Sequence, residues 1–280
     1  MDEIEKAERD EIIKKRMEII DRFLEKNKAK RDFVEFMLSE GGISLVNHDF
    51  SNDKSIRRNS GIKNGDFSGA YGLYGNIDFS SFERLNLTNA DFQPATSVKF
   101  NSHAKEIILS GAKGLRGLFN CSGMGKVSLC KTDLTKVFKL LGAKETNLEN
   151  ATGLVGFLDF IETDYLNMTG TDVSRAKLRF NPMAKKIILN RVKGLSGVLD
   201  FGNAEHVILL ETDLSKVTKI ICGPNTVLRG VINFAGDIEY LTSKKLSKRI
   251  AGTKSIYRNF AKAQSASRAQ LVSKIKGRRR

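Results

Sequence analysis

The chain matches itself at a fixed offset of 80 residues. Ala104-Lys-Glu-Ile-Ile-Leu-Ser-Gly-Ala-Lys-Gly-Leu115 aligns without a gap over Ala184-Lys-Lys-Ile-Ile-Leu-Asn-Arg-Val-Lys-Gly-Leu195. Val127-Ser-Leu-Cys-Lys-Thr-Asp-Leu-Thr-Lys-Val137 aligns over Val207-Ile-Leu-Leu-Glu-Thr-Asp-Leu-Ser-Lys-Val217 at the same offset. A weaker copy lies between them, Thr146-Asn-Leu-Glu-Asn-Ala-Thr-Gly-Leu154 followed by Leu166-Asn-Met-Thr-Gly-Thr-Asp-Val-Ser174. The module is therefore about 40 residues long and consists of two unlike halves of about 20.

Each half opens on apolar residues two apart, at 107/109, 127/129, 166/168, 187/189 and 207/209. That spacing puts both side chains on one face of a short strand. A strand of three or four residues cannot bury a core by itself. It becomes stable when equivalent strands stack along an axis and share an apolar column. The expected fold is mainly β, a parallel β-solenoid of about 20-residue coils.

Along the chain, residues 1–42 are expected to form a helical cap. Ile12, Ile13, Met17, Ile20, Phe23 and Leu24 fall near one helical face, with charges on the other. A second short helix is expected over 31–38, carrying Phe33, Val34, Phe36, Met37 and Leu38 and stopped by Gly41-Gly42. A coiled-coil segment for self-association is the rival to a cap, with poor heptad register around Met17 and Ile20. Residues 43–84 are rich in Gly, Ser and Asn and are expected to form irregular first coils. The regular array spans 85–240, and residues 241–280 form a basic amphipathic helix or tail.

The halves around Leu85-Asn-Leu-Thr-Asn-Ala-Asp-Phe92, Val127 to Leu134, Leu166 to Val173 and Val207 to Leu214 resemble the leucine-rich repeat. Thr132, Thr171 and Thr212 stand where that family usually places Asn. The resemblance implies that this side chain ties adjacent coils through backbone hydrogen bonds, a role part of which a Thr hydroxyl can take. The halves at Leu109 to Leu115 and Leu189 to Leu195 depart from the pattern, with one residue more and neither Asn nor Thr at that place. Leu87-Thr-Asn-Ala-Asp-Phe92 also resembles a pentapeptide repeat, whose period of five is not kept past Phe92. Both resemblances imply a scaffold that binds other macromolecules, and neither implies an activity.

The formal net charge of +15 is a property of the tail. Residues 1–40 carry 10 basic and 12 acidic side chains, residues 241–280 carry 13 basic and no acidic ones, and the rest carries 24 and 20. Cys121, Cys130 and Cys222 form no CxxC pair and suit buried, reduced thiols. The N-terminus is charged from Asp2 onward, and the longest apolar runs fall far short of a bilayer span. The expected location is the cytoplasm, with export by a route that needs no cleaved signal as the alternative.

No catalytic constellation stands out, and no enzyme activity, metal or cofactor is expected. His48, His103 and His206 lack metal-ligand spacing, and Gly111-Ala-Lys-Gly114 lacks the ending of a phosphate loop. The recurring Thr132-Asp133, Thr171-Asp172 and Thr212-Asp213 pairs are expected to build turns at coil corners. Lys113, Lys136, Lys193 and Lys216 recur at equivalent places and form a candidate ridge on the solenoid face, either solvated or binding nucleic acid or an acidic partner. In the tail, Lys254, Arg258, Lys262, Arg268, Lys274 and Lys276 surround an apolar face, and Arg278, Arg279 and Arg280 end the chain. These nine residues are the candidate polyanion site, for nucleic acid or an anionic membrane surface, while the apolar face suits a cap. The Arg-rich end also resembles export signals of some bacterial secretion substrates. The expected function is a non-enzymatic scaffold binding another protein through the solenoid face, with polyanion binding by the tail as the alternative.

Overall fold

Strands of three residues are too short to stand alone, and the protein stacks eleven of them into one sheet. The computed structural model describes residues 35–37, 42–50, 62–73, 75–93, 95–231 and 234–241, and there is no helix among these residues. The short strands are β1 (Glu35–Met37), β2 (Gly42–Ser44), β3 (Asn64–Asp66), β5 (Arg84–Asn86), β7 (Glu106–Ile108) and β9 (Lys126–Ser128). They continue through β11 (Glu145–Asn147), β13 (Tyr165–Asn167), β15 (Lys186–Ile188), β17 (His206–Ile208) and β19 (Val227–Arg229). From β2 onward every neighbour is parallel.

Longer strands alternate with them: β4 (Gly75–Phe79), β6 (Ala95–Phe100), β8 (Arg116–Asn120), β10 (Lys136–Leu141) and β12 (Val155–Phe160). The series ends with β14 (Arg175–Phe180), β16 (Ser196–Gly202), β18 (Lys216–Cys222) and β20 (Asp237–Tyr240). They make a second lateral face, divided into the sheets β4–β6, β8–β14 and β16–β20. Each coil is one short strand, a corner, one long strand and a return, and the protein is a parallel β-solenoid of about nine coils.

Leu85, Ile107, Val127, Thr146, Leu166, Ile187 and Val207 pair in register as one position of successive coils. Four coils therefore separate Ile107 from Ile187, which accounts for the offset of 80. Two residues on, Leu109, Leu129, Leu148, Met168, Leu189 and Leu209 form a fully buried column. The N-terminal coils are filled with rings instead. Phe67 meets Phe79 at 5.2 Å and Phe82 at 5.6 Å, and Gly65 takes the inward place below Phe82, whose ring a Cβ there would strike at 2.6 Å.

The unlikeness of the two halves has a steric cause. In one kind of coil an Asp caps the corner: Asp91, Asp133 and Asp172 accept from the N–H of Gln93, Thr135 and Ser174. The following coil runs across that corner with Gly114, Gly153 or Gly194, at φ of +80°, +69° and +78°. A Cβ there would lie 2.3, 2.5 and 2.4 Å from those same three backbone nitrogens. Only glycine permits both the left-handed backbone and the approach, so Asp coils and Gly coils alternate.

The ladder also reaches back beyond Leu85, through Gly65 in β3 to Ile43 in β2. At its start the structure corrects the helix expected over 31–38, because Glu35–Met37 is a strand. Phe36 pairs antiparallel with Ile43. An exposed edge of β2 leaves backbone groups unpaired, and covering it outweighs a weak local helix preference. The first helix and the C-terminal helix expected from the sequence lie outside the described residues.

Truncating the buried column should be costly, and truncating the surface should not. Leu189→Ala should lose about 2–5 kcal/mol in chemical denaturation, and Lys193→Ala, at an exposed corner, no more than about 0.5 kcal/mol. A second expectation concerns acid. Lys63 and Lys105, from the coils on either side, contact Glu83 at 2.6 and 2.7 Å. Hydrogen bonds from Lys105 and then Lys63 lower the Glu83 pKa to about 2, from an ordinary 4.5. A carboxyl group lowered on folding contributes stability above its unfolded pKa and loses it as pH falls through the folded value. Glu83→Gln should therefore lessen the fall of Tm between pH 4.5 and 2 at low salt. The difference should shrink at high salt, because the cluster lies at the surface.

Candidate functional site

The polar residues that recur in the sequence serve the fold. Thr132 donates its hydroxyl to the Leu109 carbonyl of the preceding coil at 2.7 Å, and Thr212 does the same to Leu189. Thr171 instead bonds Met168 within its own coil, at 2.7 Å. Asp133, Asp172 and Asp213 accept from backbone N–H two residues on. The Asp172 pKa is lowered, chiefly by the Ser174 N–H, and that of Asp213 chiefly by the Ser215 hydroxyl. These carboxylates close turns. Among the described residues no group of His, Cys, Asp or Glu is arranged to hold a metal ion.

The four lysines of the expected ridge are exposed but occupy two rows. Lys113 lies beside Asp91, and Lys193 beside Asp172. Lys136 lies beside Arg116, and Lys216 beside Ser196, on the second face. The nine tail residues from Lys254 to Arg280 lie outside the described residues.

The two lateral faces differ in chemistry. On the long sheet Tyr165 and Val227 are 42% and 40% exposed, and Leu210, in the turn after β17, is 47% exposed. Exposed Lys186 and His206 lie between Tyr165 and Val227 in one row, and half-buried Ile188 and Ile208 pair side by side in the next outward row, flanked by Asn167 and Arg229. The apolar residues of that face thus gather toward its C-terminal end, interspersed with Lys186 and His206.

The second face concentrates positive charge. Strands β8, β10, β12 and β14 carry Arg116, Lys136, Lys139, Arg175, Lys177 and Arg179 against the single acid Asp159. The sheet β16–β20 carries Lys216 and Lys219 against Asp200, Asp237 and Glu239, and β4–β6 balances Asp78 with Lys99. Arg179 grips Asp159 through Nε at 2.8 Å and through a second nitrogen, and its guanidinium lies 5.5 Å from the Phe157 ring centroid. Lys139 Nζ lies 6.0 Å from the same centroid. Phe138 sits in a bulge between Val137 and Lys139, which turns the ring outward to 62% exposure. Leu118, in register with Lys139, is 53% exposed. Where this sheet ends, a cleft of about 450 Å³ separates β14 from β16, with Lys177, Arg179, Val198 and Asp200 in its walls.

Sequence reasoning missed this face. Arg116, Lys139 and the trio Arg175, Lys177 and Arg179 come from three coils, and only the stacking brings them onto one sheet. A usable signal was present in β14, where Arg175-Ala-Lys-Leu-Arg-Phe180 alternates basic with apolar residues.

The fold and its faces define a parallel β-solenoid repeat protein. Comparisons with protein-family models, with curated proteins and with solved structures return no match.

None of the cysteines is placed for nucleophilic chemistry. Burial raises the thiol pKa of Cys121 strongly and that of Cys222 to about 11. Cys130 is only half-buried. A thiol reagent at neutral pH should label Cys130 first in the native protein, with Cys121 and Cys222 reacting only on unfolding. Mass mapping of the label checks this.

Proposed function

We propose that the protein is a non-enzymatic scaffold that binds another protein through the outer face of its long sheet. The supporting observation is the gathering of Tyr165, Ile188, Ile208 and Val227 at the C-terminal end of that face, interspersed with Lys186 and His206, with exposed Leu210 at the adjoining corner. Exposed apolar clusters on a rigid surface mark interaction sites. A ladder of strands holds such a patch at fixed spacing, so a partner meets a preorganised surface. Within solenoids the kinship is leucine-rich-repeat-like rather than pentapeptide-like. Its support is the inward pair on each short strand and the Thr132 and Thr212 hydroxyls bonding across coils. The proposed location is the cytoplasm. Polyanion binding by the tail is a second reading, favoured by its 13 basic and no acidic residues.

The test is capture from native lysate, with and without nuclease. A partner retained after nuclease, lost with Leu210→Glu and kept with Phe138→Ala is the expected result. Leu210 is exposed, so its substitution should leave stability within about 0.5 kcal/mol. A partner set unchanged by Leu210→Glu overturns the assignment to this face.

A further inference from the structure

We propose that the β8–β14 face is a binding site for single-stranded nucleic acid, separate from the tail and from the apolar residues of the long sheet. The body is almost neutral as a whole, yet stacking places six basic side chains and one acidic one on these four strands. Arg116 and Lys136 are in register on neighbouring strands, as are Val155 and Arg175 beyond them. Strand spacing sets the first pair about 4.8 Å apart and puts Arg175 roughly 10 Å further along the axis. Lys139, Phe157 and Lys177 form the next row, parallel to the first. The result is a grid of cations with rings set into it.

The rings favour an unpaired strand over a duplex. Bases stack on aromatic faces only when they are free of a partner, and a shallow sheet cannot enter a duplex groove. Phe138 projects from its bulge between Lys136 and Lys139 in sequence, where packing does not require an aromatic residue, while the Arg116 guanidinium donates to the Gln93 carbonyl of the preceding coil. Half-buried Phe157 already carries Lys139 and Arg179 over its ring, so Phe138 is the ring offered for stacking. The flanking sheets lack this charge, so the site ends at the gap before β8 and at the cleft after β14. Without a constellation that reads base edges, the site takes single strands with little sequence preference.

The experiment uses the full chain and a fluorescent 12-nucleotide oligo(dT), titrated across salt concentrations. Neutralising two phosphate contacts with Lys136→Gln and Arg175→Gln should reduce the slope of log affinity against log salt by about 1.4. Phe138→Ala should weaken binding about tenfold, the lower part of the stacking range, while Phe138→Trp should retain it. Lys99→Gln, on the balanced β4–β6 sheet, should change neither quantity. Because all these positions are exposed, thermal unfolding should be unaltered, and the tail stays intact throughout. Unchanged slope and affinity in the β8–β14 variants would place binding in the tail and overturn the proposal. Equal affinity for a duplex of the same length, or for poly-L-glutamate, would overturn it as well, the latter in favour of an acidic protein.

Discussion

Everything in this protein depends on the parallel hydrogen-bond ladder between coils. A three-residue strand has too few backbone bonds and too little apolar area to persist alone. Stacked in register, each strand receives bonds from both sides and adds one residue to a continuous column such as Leu109, Leu129, Leu148, Met168 and Leu189. The column in turn dictates register, because a slip of one residue would turn the buried side chains to solvent. The ends of such an array are its weak points, and β1 folding back onto β2 is the answer at one of them.

The corners impose a second rule. An Asp-capped corner brings its following residue outward and toward the next coil, where only a glycine with positive φ fits. A coil of one kind therefore demands a neighbour of the other, and the repeat is read in pairs. A left-handed residue recurs at the corner after each short strand, held by Asn47, Asn89, Lys131, Asn150, Arg191 and Glu211 and by glycines such as Gly69, Gly111 and Gly170. The backbone there is fixed by the stack, which allows Lys131, Arg191 and Glu211 in a conformation that local preference disfavours.

Because the fold uses the buried column, the corner Asp residues and the Thr hydroxyls, what remains for function is the outward pattern of each face. The long sheet alternates charge along its rows, as in Lys63, Glu83 and Lys105, and gathers apolar residues near its C-terminal end. The second face gathers its basic residues on four strands. The two chemistries therefore lie on different sheets of one solenoid.

The sequence by itself determined the repeat length, the inward positions and the turn role of the Asp residues. Those are local patterns, and a period of two within a period of twenty admits few other folds. It also placed Leu189 inside and Lys193 outside. It misassigned residues 35–37, where pairing with a distant edge overrode helix-like spacing, and it did not find the basic sheet. Side chains that touch across coils are about twenty residues apart in the chain, and even the seven basic and no acidic residues of 173–199 are divided between different faces. Only the stacking decides which of them share a face, so the character of each surface was settled by tertiary structure.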